Sequence, residues 1–140
     1  MNPKQFLLIG GVVLVLVGLL GMVGVIGPTA EDSIFNKAGL DWWFDPGENW
    51  AHLILGVVGL IAAFALPGAL QRPLVMLLGG VGLLVGLYSA FISTSFLGAN
   101  LENPADTLLH ILVGAWALAA SWKKEASSSP MPGALPNMPA

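Results

Sequence analysis

The stretch "FLLIGGVVLVLVGLLGMVGVI", residues 6–26, contains no charged residue over 21 positions. As a helix it would extend roughly 30 Å at 1.5 Å per residue, the thickness of a bilayer's hydrocarbon core. Three more apolar runs follow, at 50–66, 74–97 and 105–122. None alternates polar and apolar residues as a barrel strand does, and in lipid only a helix satisfies its own backbone with such a run. The expected fold is an all-α membrane protein of four transmembrane helices, with an outer loop at 27–49.

Composition agrees with the runs. Of 140 residues, 56% are hydrophobic and 9% are charged, against about 25% charged in a typical soluble domain. The mean hydropathy is +0.81. The absence of cysteine excludes disulfides and thiolate metal sites. The basic residues are few and scattered, which argues against nucleic acid as a partner.

The charges orient the chain. Lys4, Arg72, Lys123 and Lys124 fall on one side of a four-helix serpentine. Glu31, Asp32, Asp41, Asp45, Glu48, Glu102 and Asp106 fall on or beside the other, and Lys37 alone breaks the pattern. The positive-inside rule then places both termini in the cytoplasm. Trp42, Trp43 and Trp50 suit an outer interfacial belt and Trp122 an inner one. The first run is expected to be a retained anchor: it exceeds a typical signal h-region, and Pro28 interrupts the would-be cleavage motif. "EDSIFNKAG" suits one short amphipathic helix ended by Gly39. The Ser- and Pro-rich tail, 125–140, is expected to be disordered.

Two segments share a grammar. "DPGENWAHLILG" at 45–56 and "NPADTLLHILVG" at 103–114 align at an offset of 58, pairing His52 with His110 and Glu48 with Asp106. "LLIGGV" at 7–12 resembles "MLLGGV" at 76–81, at an offset of 69. Helices one and two and helices three and four thus look like tandem copies of a hairpin, in parallel orientation.

Much of the shared grammar is helix-start chemistry. Asp45 and Asn103 are candidate N-caps, with Pro46 and Pro104 at the first helical position. Glu48 and Asp106 can bond back to the cap and face the positive helix end. Capping leaves His52 and His110 unexplained. Each lies four residues after its acid, on the same helix face and just beneath the headgroup boundary. Three readings stand for this candidate site of His52, His110, Glu48 and Asp106. The pairs tie helix ends together, or they form a polar site for a proton, headgroup or solute, or they hold a divalent metal or haem. Glycines recurring at 18, 21, 24 and 27, and at 82 and 86, suit close packing within the chain, or alternatively a dimer face.

"NPADTLLHILVGAWAL" and "ENWAHLILGVVGL" resemble the signatures of a family of small four-span bacterial membrane proteins of unassigned function, over roughly residues 6–122. The resemblance implies the fold and a membrane location, and it carries over no catalytic residue. With no nucleophile–base motif either, the expected role is non-enzymatic: a packing or accessory subunit of a homo-oligomer or larger membrane complex, with no cofactor. The competing expectations are electron transfer by haem or metal on His52 and His110, and a small-solute or proton transporter.

Overall fold

The computed structural model describes residues 1–122. The tail expected to be disordered lies outside them. Five helices and a two-stranded hairpin follow in order: α1 (Pro3–Met22), α2 (Ile34–Lys37), α3 (Pro46–Ala65), α4 (Gly68–Phe91), β1 (Ser95–Phe96), β2 (Ala99–Asn100) and α5 (Ala105–Trp122). α1, α3, α4 and α5 have 18 to 24 residues and are each long and apolar enough to cross a membrane. Their outward side chains include Ile9, Leu16, Ile61, Leu84 and Leu112, all exposed. Water would be a poor solvent for such a surface, and lipid a good one.

The helix starts are written in local chemistry. At α1, Asn2 accepts from Gln5 N and Gln5 returns a bond to Asn2 N, with Pro3 next to the cap. α3 repeats the device with Asp45, Glu48 and Pro46. That capping box starts α3 four residues before the apolar run at Trp50. α4 likewise begins at Gly68, six residues before Leu74, and carries Pro73 inside it. Pro73 lies past the first turn and removes the one bond its N–H would make to Ala69 O, so the helix start before it needs support from elsewhere. Gln71 earns the extension: its Nε2 donates to Ala62 O, Ala63 O and Leu66 O at 2.9–3.5 Å. These are carbonyls at the end of α3, where Pro67 offers no N–H to Ala63 O and only Ala62 O is met from the chain's own backbone, by Leu66 N at 3.1 Å.

α4 stops at Phe91, short of Leu97. Ser95–Phe96 pairs antiparallel with Ala99–Asn100 instead. Leu97 and Gly98 both have positive φ, 51° and 88°, as a two-residue hairpin turn demands. The long loop after α1 is tied down by Ile34 N to Val25 O and Phe44 N to Ile26 O, both 2.9 Å. Gly39, at φ 83°, follows the short α2.

α1 packs chiefly on α3, and α4 on α5. The two pairs join in an apolar core of Phe6, Leu7, Ala62, Ala63, Val75, Ala117 and Ala120. Within each pair, glycines bring the backbones together. A Cβ on Gly56 would sit 2.8 Å from Gly11 O and 2.7 Å from Val15 N. One on Gly114 would sit 2.9 Å from Gly79 O and 2.8 Å from Leu83 N. Gly18 lies against Asn49 and Leu53 as Gly86 lies against Thr107 and Ile111. These contacts correspond at an offset of 58 on the second helix of each pair and 68 on the first. The alignment of Leu7–Val12 with Met76–Val81 at 69 is therefore one residue out of structural register. It matched Gly10 to Gly79, whereas the glycine facing its partner helix is Gly11. The 18/21 and 82/86 glycines all face a neighbouring helix of the same chain, which spends them on internal packing.

Backbone atoms cannot retreat from a new methyl group. Gly56→Ala and Gly114→Ala should each destabilise the protein by about 1–3 kcal/mol. At Gly80 a Cβ meets nothing within 4 Å, so Gly80→Ala should be neutral or stabilising by up to about 1 kcal/mol. Thermal unfolding in one detergent compares the three. Equal tolerance at all three positions would contradict the close approach.

Candidate functional site

The polar residues gather at the end where α3 and α5 begin. Asp106 is fully buried. Its Oδ1 accepts from Trp42 Nε1 and its Oδ2 from Glu102 N, both at 2.8 Å. Trp42 is held in place by its neighbours: its ring stacks on Phe35 and leans on Phe44. Its backbone N donates to Asn36 Oδ1 at 3.0 Å, and its carbonyl accepts from Ser33 Oγ at 2.7 Å. One indole N–H thus links the long loop, which packs with the α1–α3 pair, to the head of α5.

A second link runs in parallel. Asp45 Oδ1 accepts from Glu48 N at 2.9 Å, closing the cap of α3, and its Oδ2 accepts from Asn100 N in the hairpin at 2.6 Å. Glu48 Oε2 accepts from Asp45 N at 3.0 Å, and Asn100 Nδ2 donates to Glu102 Oε1 at 2.6 Å. Deeper between the α4 and α5 helices, Ser89 and Thr107 share a hydrogen bond of 2.7 Å.

Glu48 and Asp106 therefore come together, with Glu102 beside them: each offers a carboxylate oxygen within 4.8 Å of the other two. The histidines stand a turn deeper. His110 Nδ1 donates to Asp106 O at 2.8 Å, so its bond is to the acid's backbone and not its carboxylate. His52 packs its ring edge-on against Phe44, at 5.3 Å between centroids, and its buried Nδ1 has no partner. The two histidines lie within electrostatic reach of each other and of Asp106. Asn103 is exposed, and the bonds at the head of α5 bypass it: Asp106 N donates to Glu102 O at 2.8 Å, and Asp106 Oδ2 returns to Glu102 N. Glu102 holds the position that the shared grammar assigns to Asn103. Aligned at the same offset, its counterpart in the first half is Phe44, so the duplication gave no signal for it. Trp42 carried a signal only as an interfacial aromatic.

Buried oxygens without donors mark the cluster: Glu48 Oε1 and Glu102 Oε2 have none. Burial, then the adjacent Asp106 carboxylate, pushes the Glu102 carboxyl up to about 8. The folded state then keeps a proton that the unfolded chain releases near the ordinary value of 4.5. With more protons bound in the folded state, stability falls as pH rises.

Two measurements follow from these contacts. In a double-mutant cycle, Trp42→Phe and Asp106→Ala should couple by about 0.5–3 kcal/mol, the range for two residues that share a hydrogen bond; additive losses would remove the link. In metal-free buffer, wild-type stability should decline between about pH 4.5 and about 8, and Glu102→Gln should flatten that decline. An unchanged slope in the variant would assign it to another group.

No curated protein and no solved structure matches the chain. A family model does, over residues 4–123. The chain belongs to the family described as Domain of unknown function (DUF4383).

Proposed function

We propose that the chain is a non-enzymatic polytopic protein of a bacterial plasma membrane, acting as a packing or accessory subunit in a homo-oligomer or larger membrane complex. The observation that carries this reading is how its polar groups are used. Asp45, Asp106, Trp42 and Asn100 fasten loop, hairpin and helix pairs to one another. Gln71 seals the end of α3, and Ser89 meets Thr107 between helices. Such bonds build a rigid block whose outer surface is left apolar for lipid and neighbours.

Orientation follows from charge. Lys4 lies over the ring of Phe64 near the end of α3, at 6.0 Å, the same end at which Arg72 enters α4. The acids gather at the opposite end. Both termini on the cytoplasmic side satisfy the positive-inside rule. The parallel glycine contacts of the α1–α3 and α4–α5 pairs also support descent from one duplicated hairpin. Electron transfer through haem or metal on His52 and His110, and transport of a solute or proton, have less support. The proximity of the histidines favours the first, and the buried acids favour the second.

The test is the state of the full chain in lipid nanodiscs, by mass measurement. The expected result is a defined homo-oligomer or a stoichiometric complex with another membrane protein. A monomer without companions, unchanged across mild extraction conditions, would overturn the subunit reading.

A further inference from the structure

Three carboxylates converge where α3, the hairpin and α5 meet, and their positive partners do not balance them. The charged side chains acting on Glu48 are Asp106, Glu102 and Asp45, all acidic. Among the described lysines and arginines, Lys37 Nζ is bonded to Asp32 O, Lys4 lies at Phe64, and Arg72 is in the first turns of α4 at the opposite end; the basic groups near the cluster are the imidazoles of His52 and His110, a turn deeper.

We propose that Glu48, Glu102 and Asp106 bind a hard divalent cation, of the calcium, magnesium or manganese class. The geometry fits. Three oxygens within 4.8 Å of one another share a point within about 2.8 Å of each, and small side-chain adjustments reach the ~2.0–2.6 Å of such ions. All three donors are carboxylate oxygens, which suit hard cations over softer ones.

A second observation points the same way. Glu48 is 3% exposed and its Oε1 has no donor; Glu102 is 9% exposed and its Oε2 has none. Neither atom is open to bulk water, and a buried carboxylate oxygen without a partner is costly. A cation held among the three carboxylates would supply the positive partner that this cluster lacks. His52, 9% exposed, stands one turn along from Glu48. The site uses a residue, Glu102, that lies outside the paired acid–histidine segments. It holds whether the chain acts alone or as a subunit.

The experiment uses the full chain in nanodiscs, stripped with a chelator and titrated separately with Ca²⁺, Mg²⁺ and Mn²⁺. Thermal unfolding and intrinsic fluorescence report binding, the latter because Trp42 is bonded to Asp106. Saturating cation should raise the unfolding midpoint, since a ligand of the folded state stabilises it. Mn²⁺ resonance should count one bound ion per chain. Glu102→Gln, at a position outside the four spans, should weaken binding at least tenfold, as should Glu48→Gln. Asp32→Asn, whose carboxylate bonds Thr29 elsewhere in the loop, should leave it intact. Two results would overturn the proposal. One is no response of wild type to any of the three ions at millimolar concentration, with an infrared carboxylic-acid band that cation leaves unchanged: the acids would then share protons. The other is a Glu102→Gln variant that binds as wild type does, which would place the ion elsewhere. Should Glu48→Gln fail to fold, the wild-type ion count and Glu102→Gln still decide.

Discussion

The buried carboxylate of Asp106 is the joint on which the polar end depends. It receives Trp42 from the long loop on one oxygen and the backbone of Glu102 on the other. A buried carboxylate is tolerable only when hydrogen-bonded, so the loop and the head of α5 are each required by the other. Phe35, Trp42, Phe44 and His52 form a row of ring contacts running back to α3. The loop is thus a built element, and its ordering follows from one acceptor that has to be filled.

The opposite constraint acts along the helices. Lipid gives apolar side chains no reason to prefer a neighbouring helix, so association rests on close packing. The glycines at 11, 56, 79 and 114 supply it by letting backbone meet backbone. The cost of glycine within a helix, about 1 kcal/mol relative to alanine, is offset by contacts that a Cβ would forbid. The two pairs merge into a common core at Phe6, Leu7, Val75 and the small alanines, with Trp116 packed edge-on against Phe6.

Much of this was legible in the sequence, and the physical reasons divide cleanly. The four spans follow from the apolar runs, because the backbone in lipid has few alternatives. The start of α3 follows from Asp45, Pro46 and Glu48, a local device that depends on nothing distant. The start of α4 was hidden because Pro73 looks like a boundary, and only the distant bonds of Gln71 to α3 show why the helix extends past it. The hairpin was hidden because Leu97 occupies a left-handed position that usually signals itself through glycine or asparagine. At the candidate site, Glu48 and Asp106 could be paired by their shared grammar. Glu102 could not: its place in the cluster comes from the path of the chain between the hairpin and α5. The register of α1 against α4 slipped by one because adjacent glycines at 10 and 11 are indistinguishable until one of them faces a helix.

Charge accounting at the polar end shows what the fold leaves undone. A helix N-terminus is equivalent to roughly half a positive charge. The heads of α3 and α5 together therefore offer about one unit, against three carboxylates whose oxygens lie within 4.8 Å of each other. The indole N–H, the backbone donors and the Asn100 side-chain amide help Asp106 and one oxygen each of Glu48 and Glu102, yet two buried oxygens remain without a donor. Helix dipoles thus do not match three ionised carboxylates, and the two histidines, a turn deeper, are the nearest side chains that could carry positive charge. Protons on the carboxyls, charge on the histidines or a bound cation are the ways to make up the difference. The cluster spans the heads of α3 and α5, one from each helix pair, so whatever supplies that charge also sets how firmly the two halves of the molecule are held together.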